Sequence, residues 1–448
     1  MSEVTILYWQ ASSILNPYLS SGTKDIDASS IVLEPLANIS PAGTMVPVLA
    51  AEIPTLDNGG VSEDLTSITW TLKDGVLWSD GSPVTAEDVI FTWEYCTHPD
   101  AGCTYDDSFD GVVSVEDAGM NQVKITFDAP KPYPYLPFVT QTTPIIQKAQ
   151  FGDCLGANMS ACSDANFGPI GTGPFMVEDF RPNDVVTYVR NPNFRDADMG
   201  KPAFDRVVFK GGGDAESAAR AVLETGEADY AWNLQVSPAV LNAMEAAGNG
   251  TVIVAYGQAM ERILINFTDP SPDNPNRSVW MPDGANAHPF LSNKTIRQAM
   301  SMAIDRNISA SVFFGGDPAS PDTFQKFYSD VQMYTSGSSS TDMEGQMQNY
   351  RCGEWPSPDN NWLGSNILRW CNEEYDAVFE EYVSTGGVEA RAEYVIRLND
   401  IMIQDYAQLP LVYRSSAASA VSNSLGGVEI NGWDSEMWNI EDWYRADM

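Results

Sequence analysis

Apolar and polar positions alternate along several short stretches of the chain, and this period of two predicts strands. Ile68, Trp70 and Leu72 share one face before a KDG turn, and Val123, Ile125 and Phe127 repeat the pattern. DVVTYVRN and FDRVVFK read the same way after the glycine- and proline-rich breaker GPIGTGPF. RILINF is a buried strand by its continuous apolar character, whereas the recurring prolines of KPYPYLP confine it to an edge or a loop.

Other stretches carry helical spacing. Past an SDG turn and Pro83, Thr85 with Asp88 three residues on has the form of a capping box and opens a helix through Val89, Ile90 and Trp93. Asp214 caps a predicted helix through Ala218, Val222 and Leu223 that ends at Gly226. Ile296, Met300, Ala303 and Ile304 predict a helix over 292–306, and Tyr394, Leu398, Ile401 and Met402 one over 390–406. PSPDNPNRSVWMPDGANAHPF is long and proline-rich, a candidate lobe boundary. Residues 333–366, dominated by Ser, Gly, Asn, Asp and Pro around Trp355 and Trp362, read as an ordered surface loop. The ending EINGWDSEMWNIEDWYRADM is aromatic enough to pack back on the body.

Composition narrows the class. The 448 residues leave room for two or three domains at about 100–200 residues each, and 43% hydrophobic content supports folded cores. Sixty-one acidic against 24 basic side chains give a net charge of -37, which repels nucleic-acid backbones and anionic membranes and suits salt-rich surroundings. No apolar run approaches the ~18 residues of a membrane-spanning helix. The opening MSEVTILYWQ has neither a basic n-region nor an h-region, so a secretion signal is expected to have been removed or never to have existed. The cysteines fall into close pairs, Cys96 with Cys103, Cys154 with Cys162 and Cys352 with Cys371. Sequence alone leaves connectivity open, but the short turn-rich loops favour these local bridges and hence an oxidising compartment.

Chemistry is constrained by scarcity. The chain has two histidines, His98 and His288, both beside turn or proline residues and read as loop positions. HExxH, CxxC, GxSxG, Walker A and a strand-borne GxGxxG are absent, so no catalytic residue, metal or cofactor is assigned. DDSFDGVVSVED resembles an EF-hand loop through Asp106, Ser108, Asp110 and Gly111. Its twelfth position is Asp117 in place of Glu, and VVSVE reads as a strand. A hydrolase using paired carboxylates is the alternative from a different class, and with 61 acids any pair can be imagined. The positive signal is aromatic: Trp9, Tyr18, Trp232, Tyr334, Trp433 and Trp438 lie beside breakers or in polar loops. They are core residues or the walls of an organic-ligand cleft.

Taken together, LNPYLSSGTKDIDASSIVLEPLA, WTLKDGVLWSDGSPVTAEDVIFTWEY, GPIGTGPFMVEDF with VRNPNF, AVLETGEADYAWN and HPFLSNKTIRQAMSMAIDR resemble, in order, the extracytoplasmic solute-binding proteins of peptide-type (oligopeptide, dipeptide, nickel) ABC transporters, solute-binding protein family 5. DYAQLPLVYRSS and the aromatic terminus fit as well. The resemblance implies an α/β two-lobed periplasmic-binding-protein clamshell with a hinge and an additional α/β subdomain, of the cluster C type. It places lobe I at 1–45, 168–258 and 414–448, the extra subdomain at 46–167 and lobe II at 259–413. The implied protein is a periplasmic or extracellular monomer, with a lipid anchor open for the precursor. It is not an enzyme: it captures a solute, foremost a short peptide, and delivers it to ABC permease subunits. An oligosaccharide, a nickel chelate or another small solute is the alternative on the same fold.

Two departures qualify the resemblance. After AIDRN the chain jumps to SVFFGGDP, so the junction at Asn307 and Ile308 points to a deletion or an omitted segment of lobe II. The aspartate that holds a peptide's amino group in such proteins has only Asp342 and Glu344 near its expected place, in MYTSGSSSTDMEG. The expected ligand-binding set is Trp9, Tyr18, Trp232, Asn233, Gln235, Arg262, Asn266, Tyr334, Trp433, Asp434 and Trp438, with Arg262 and Asn266 as anchors for a carboxylate or main chain.

Overall fold

Val4, Ile6 and Tyr8 are fully buried along EVTILY, and that alternation sets the first strand at the centre of the largest sheet. The computed structural model describes residues 2–305, 326–336, 341–360, 362 and 364–446. The chain forms two compact units, Met1–Gly257 with Ser415–Met448, and Gln258–Arg414. Its strands, in chain order, are β1 (Glu3–Tyr8), β2 (Ala37–Ile39), β3 (Met45–Pro47), β4 (Ser67–Thr71), β5 (Val112–Gly119), β6 (Gln122–Phe127), β7 (Phe175–Arg181), β8 (Val185–Arg190), β9 (Arg206–Gly211), β10 (Tyr230–Ala231), β11 (Gly250–Ile265), β12 (Val331–Ser336) and β13 (Gln408–Ser422). The chain leaves the first unit within β11 and returns within β13.

In the first unit the main sheet runs β13-β10-β1-β9-β8-β7. β1 is parallel to both neighbours, with Ile6 opposite Tyr230 and Phe209. The helix Ala215–Leu223 connects β9 to β10, so the crossover straddles β1. Asp214 accepts a hydrogen bond from the Ser217 amide at 2.7 Å, the expected cap. A second, antiparallel sheet, β4-β6-β5, packs on the helix Ala86–Thr97. There Thr85 donates its amide to Asp88 Oδ2 at 2.9 Å, closing the predicted capping box. This core takes in Trp70, Val89 and Ile125, and also Tyr18, Leu33 and Leu36 from before residue 45. The EF-hand-like stretch continues into β5, as its VVSVE pattern requires. In the GPIGTGPF breaker a Cβ on Gly171 would lie 1.9 Å from the Val32 carbonyl oxygen, so only glycine fits there. The aromatic ending packs back as expected, with Met437, Ile440 and Trp443 buried against β1, β9 and β10 residues.

In the second unit β11 pairs antiparallel with β12, Arg262 opposite Tyr334 and Ile265 opposite Val331. Leu264 joins a core of Trp370, Tyr375, Phe379 and Leu398 from the helices Glu373–Ser384 and Val388–Gln404 and the segment before them. Ile265 packs with Leu291 and Leu409. The three local disulfides form as the spacing suggested, Cys96–Cys103 and Cys154–Cys162 in the first unit and Cys352–Cys371 in the second.

Two expectations need correction. The helix over 292–306 is Lys294–Ala303, because Asn293 caps it from outside and Ile304 turns extended. The loop over 333–366 contains the end of β12, a helical turn Glu344–Gln348 and a shorter one at Pro358–Asn360. Backbone pairing to β11 and the buried Met347, Tyr350 and Asn366 order segments whose composition is polar. His288 sits in a loop but is buried, with Nε2 2.9 Å from Asp330 Oδ1 and Nδ1 accepting from the Leu291 amide at 3.0 Å. The junction at Asn307 and Ile308 lies outside the described residues.

Candidate ligand-binding site

Parallel strands end at one edge, and in an open α/β sheet the loops leaving that edge are free to build a site. Trp9 follows β1 and Trp232 follows β10 directly, so both reach the carboxyl edge of the first unit's sheet. Trp232 is 4% exposed and stacks on Tyr8, centroids 4.6 Å apart and planes at 5°. Trp9 lies 6.1 Å from Trp232 and donates Nε1–H to the Asn233 carbonyl at 3.0 Å. Asn233 has φ +51, a left-handed turn that asparagine tolerates and that sends Gln235 outward. A groove of about 770 Å³ opens there, lined by Trp9, Asp214, Glu216, Arg220, Gln235 and Ser237 among others. Arg220 bridges Glu216 at 3.1 Å and Glu224 at 2.6 Å, so the groove pairs an aromatic wall with fixed charges. The sequence brought Trp9, Trp232, Asn233 and Gln235 forward, and the structure brings them together. Asp214, Glu216, Arg220 and Ser237 were missed as lining residues, since nothing in their local pattern beyond the helix cap marks them.

The remaining expected residues are placed differently. Tyr18 is fully buried, its hydroxyl donating to the Pro144 carbonyl at 2.6 Å and its ring against Tyr95. It departs from the ligand-wall expectation because the asparagine-capped turn at Asn16 points it inward. Asp434 also departs: it accepts from the amides of Ile39 and Gln141 at 3.1 Å each and Ser435 at 2.9 Å, stapling the C-terminal segment to β2. Trp433 is half-buried against the core of the β4-β6-β5 region, and Trp438 donates to the Glu429 carbonyl at 2.9 Å. Trp438 lines a separate cavity of about 90 Å³ with Gln141, Glu34 and Arg195.

Beneath the aromatic edge lies a group of buried acids. Asp27 accepts from the Tyr8 hydroxyl at 2.9 Å and Ser435 Oγ at 2.6 Å, and Glu436 accepts from Tyr230 and from Ser419 Oγ at 2.7 Å. Burial, and then the Asp27 charge, pushes the Glu436 carboxyl up, and burial raises Asp27 as well.

In the second unit Arg262 is 7% exposed and donates to the Tyr350 hydroxyl at 2.5 Å. Asn266 is fully buried and departs from the anchor expectation. Its amide donates to the Phe327 carbonyl at 2.7 Å, and its oxygen accepts from Thr268 N and Oγ1, so it fixes a loop. Tyr334 lies in β12 opposite Arg262, and its side chain is outside the described residues. Asp342 and Glu344 both engage Arg391, at 2.7 and 2.8 Å, and Asp342 also accepts from Tyr382. Among the described residues no cluster of His, Cys, Asp or Glu has the form of a metal site, and no helix is long and apolar enough to cross a membrane.

The model of "Bacterial extracellular solute-binding proteins, family 5 Middle" matches residues 44–344, more than half of the chain. The chain is similar to the "Probable di/tripeptide-binding protein 5" of Pseudomonas aeruginosa, 26% identical over 291 residues that cover 61% of this chain and 49% of that protein. It is also similar to the glutathione-binding protein GsiB of Salmonella typhimurium, 25% identical over 257 residues, 57% of this chain and 44% of the relative. The chain thus spans about half the length of these curated relatives. Among solved structures, the MppA periplasmic murein tripeptide binding protein in its unliganded open form matches with TM-score 0.77 at 16% identity, covering 99% of this chain and 97% of that one. The dipeptide binding protein of Pseudoalteromonas sp. SM9913 in complex with Met-Leu matches with TM-score 0.65 at 14% identity, covering 99% and 100%. These neighbours share the two-lobed α/β fold of periplasmic binding proteins. The chain belongs to the bacterial extracellular solute-binding proteins, family 5.

Proposed function

We propose that this protein is the extracytoplasmic receptor of an ABC importer, capturing a short peptide and handing it to permease subunits. The observation that carries the proposal is the aromatic edge of the first unit, Trp9 and Trp232 with Gln235 beside the 770 Å³ groove, in a member of this family. The Trp9 ring offers contact area beside the groove, held in place by its bond to the Asn233 carbonyl, and the neighbouring exposed Gln235 amide is placed to hydrogen-bond a peptide backbone. Relatives named for di- and tripeptides and for glutathione support the solute class. We assign lobe I to 1–45, 168–258 and 414–448, the extra subdomain to 46–167 and lobe II to 259–413. The unit boundaries after Gly257 and Arg414 support the two lobe junctions. The protein acts as a monomer outside the cytoplasmic membrane, on a lipid anchor or free, and turns nothing over.

The commitment of Asp342 and Glu344 to Arg391 favours a second reading, a compact solute held without an amino-terminal anchor, such as a metal chelate or an oligosaccharide. Campylobacter jejuni NikZ, in complex with Ni(L-His), matches with TM-score 0.64 at 18% identity. Native mass spectrometry of the purified protein, before and after denaturation, separates the two. Release of a set of small peptides supports the peptide reading. Release of one chelate or sugar replaces it with the second.

A further inference from the structure

The smaller cavity of the first unit, about 90 Å³, shares no lining residue with the groove at Trp9. β3 and the C-terminal segment give it apolar walls, and its charged and amide lining comes from Glu34, Asn38, Gln141, Arg195 and Glu441. Most of these groups satisfy one another. Arg195 Nη1 donates to both Glu34 oxygens, at 2.8 and 2.7 Å, and Gln141 Nε2 donates to Asn38 Oδ1 in β2 at 3.2 Å.

Two acceptors are left over. Gln141 is 3% exposed, and its Oε1 is buried with no hydrogen-bond partner. The bond to Asn38 fixes the amide plane, so Oε1 cannot turn away to find a donor. Glu441, half-buried in the same lining, has no ion-pair or hydrogen-bond partner among the described residues other than its own amide. Burial above all, with the Glu34 charge adding, pushes its carboxyl up to about 7. A buried acceptor without a donor and a carboxylate without a counter-ion are each costly to the fold, and here both border one space.

The leftover groups select the chemistry of an occupant. Both are oxygens that accept, which suits a hard cation. Glu34 and Arg195 cancel, so Glu441 leaves one negative charge to balance. A divalent ion asks for more carboxylates than this, and among the described residues no grouping of three His, Cys, Asp or Glu could hold one. The volume equals about three waters at ~30 Å³ each, room for a small ion with part of its hydration shell. A net charge of -37 also keeps cations concentrated around the chain.

We propose that this cavity binds a monovalent metal cation, sodium or potassium, held by the Gln141 side-chain oxygen and the Glu441 carboxylate with water completing its shell. The ion ties the C-terminal segment to Gln141 and, through it, to β2. The site is separate from the solute groove, so its failure leaves the proposed function untouched.

The test is thermal unfolding of the full chain in sodium, potassium or choline chloride, each at about 0.5 M so that screening is the same. Choline is too large for the cavity. The expected result is a melting temperature at least about 2 °C higher with the small ion than with choline, rising saturably as one replaces the other at constant total salt. The larger of the sodium and potassium shifts names the ion. In Glu441→Gln, which keeps an oxygen without the charge, and in Gln141→Met, which removes the unpaired oxygen, the shift is expected to fall at least fivefold. Equal melting in all three salts overturns the proposal, as does a shift that either variant retains in full. Wild-type crystals grown in rubidium chloride give a readout that needs no variant to fold. An anomalous peak in the cavity beside Gln141 and Glu441 upholds the site, and water alone there overturns it.

Discussion

Replacing both Cys352 and Cys371 by alanine should cost the second unit about 3 kcal/mol, and nearly all of it through the unfolded chain. The two residues are 19 apart in sequence, so the bridge closes a loop of about 20 residues. Chain-entropy arithmetic for such a loop gives about 11 cal/mol/K, or about 3.3 kcal/mol at 25 °C. Cys371 is exposed and Cys352 half-buried, so the folded state loses little packing when the sulfurs go. Cys96–Cys103 and Cys154–Cys162 close loops with separations of 7 and 8, worth about 2.5 kcal/mol each by the same reasoning. Their buried members, Cys96 at 2% and Cys154 at 3% exposure, add a packing loss. The assay is urea unfolding of the full chain, followed by near-ultraviolet dichroism and by total fluorescence. The Cys352→Ala/Cys371→Ala variant should lower the midpoint with a steeper denaturant dependence, because its unfolded state is more expanded. Serine in place of alanine should change nothing there, whereas at Cys96 it should cost a further ~1 kcal/mol for burying a hydroxyl. A loss below about 1 kcal/mol at Cys352–Cys371, or a clear difference between alanine and serine at that pair, would refute the entropic account.

Further expectations concern charge and packing. Because burial raises the Glu436 and Asp27 carboxyls above their ordinary values, the folded chain keeps protons that the unfolded chain has released. Stability should therefore fall as pH rises from about 4.5 through the elevated range. Glu436→Gln keeps an oxygen for Tyr230 and Ser419, so it should match the wild type near pH 4.5 and exceed it at pH 9; parallel urea midpoints across that range would contradict this. Sodium chloride from 0.1 to 1 M shortens the screening length from about 10 to about 3 Å, so a chain with net charge -37 should melt progressively higher in scanning calorimetry, and a flat response would show that repulsion is not limiting. Trp443→Ala, which removes a fully buried ring next to Tyr230, should cost about 3–5 kcal/mol in chemical denaturation, with a loss under 1 kcal/mol counting against the assigned core.

How far the sequence could be read depended on whether a property was periodic. β4, β6, β8 and β9 and the capped starts of the helices at Thr85 and Asp214 carry their own period or cap and appear within a residue or two of their predicted places, while the Asp214 helix ends at Leu223, three residues before Gly226. β10 has only two residues, too few for any period, yet it carries Trp232 into the candidate site. Trp9 and Trp232 stand at strand ends, as expected, because they follow β1 and β10 immediately, where the chain direction is fixed. Tyr18, Asn266 and Asp434 were misjudged for one shared reason. Each is a polar or amphipathic residue beside a strand or turn, and its orientation is set by a partner far away in sequence: Pro144, Phe327 and Gln141 respectively. The engagement of Asp342 and Glu344 by Arg391 is equally non-local, and no spacing rule links those positions.

The return of the chain through β13 has a consequence for the order of assembly. Residues 415–448 complete the first unit: β13 pairs with β10, and Ser435 bonds Asp27 and Ser30 while Asp434 closes on Ile39, the last three joining positions 395 to 408 residues apart. The second unit is one uninterrupted segment, so every residue it needs is present before residues 415–448 are made. In vectorial synthesis or export the inner unit can finish first, while the outer one waits with Asp27, Tyr8 and Tyr230 unsheltered until the final segment arrives. A chain that stops soon after Arg414 therefore carries a complete second unit beside a first unit that still lacks β13's partner strand contacts and the residues around Asp434.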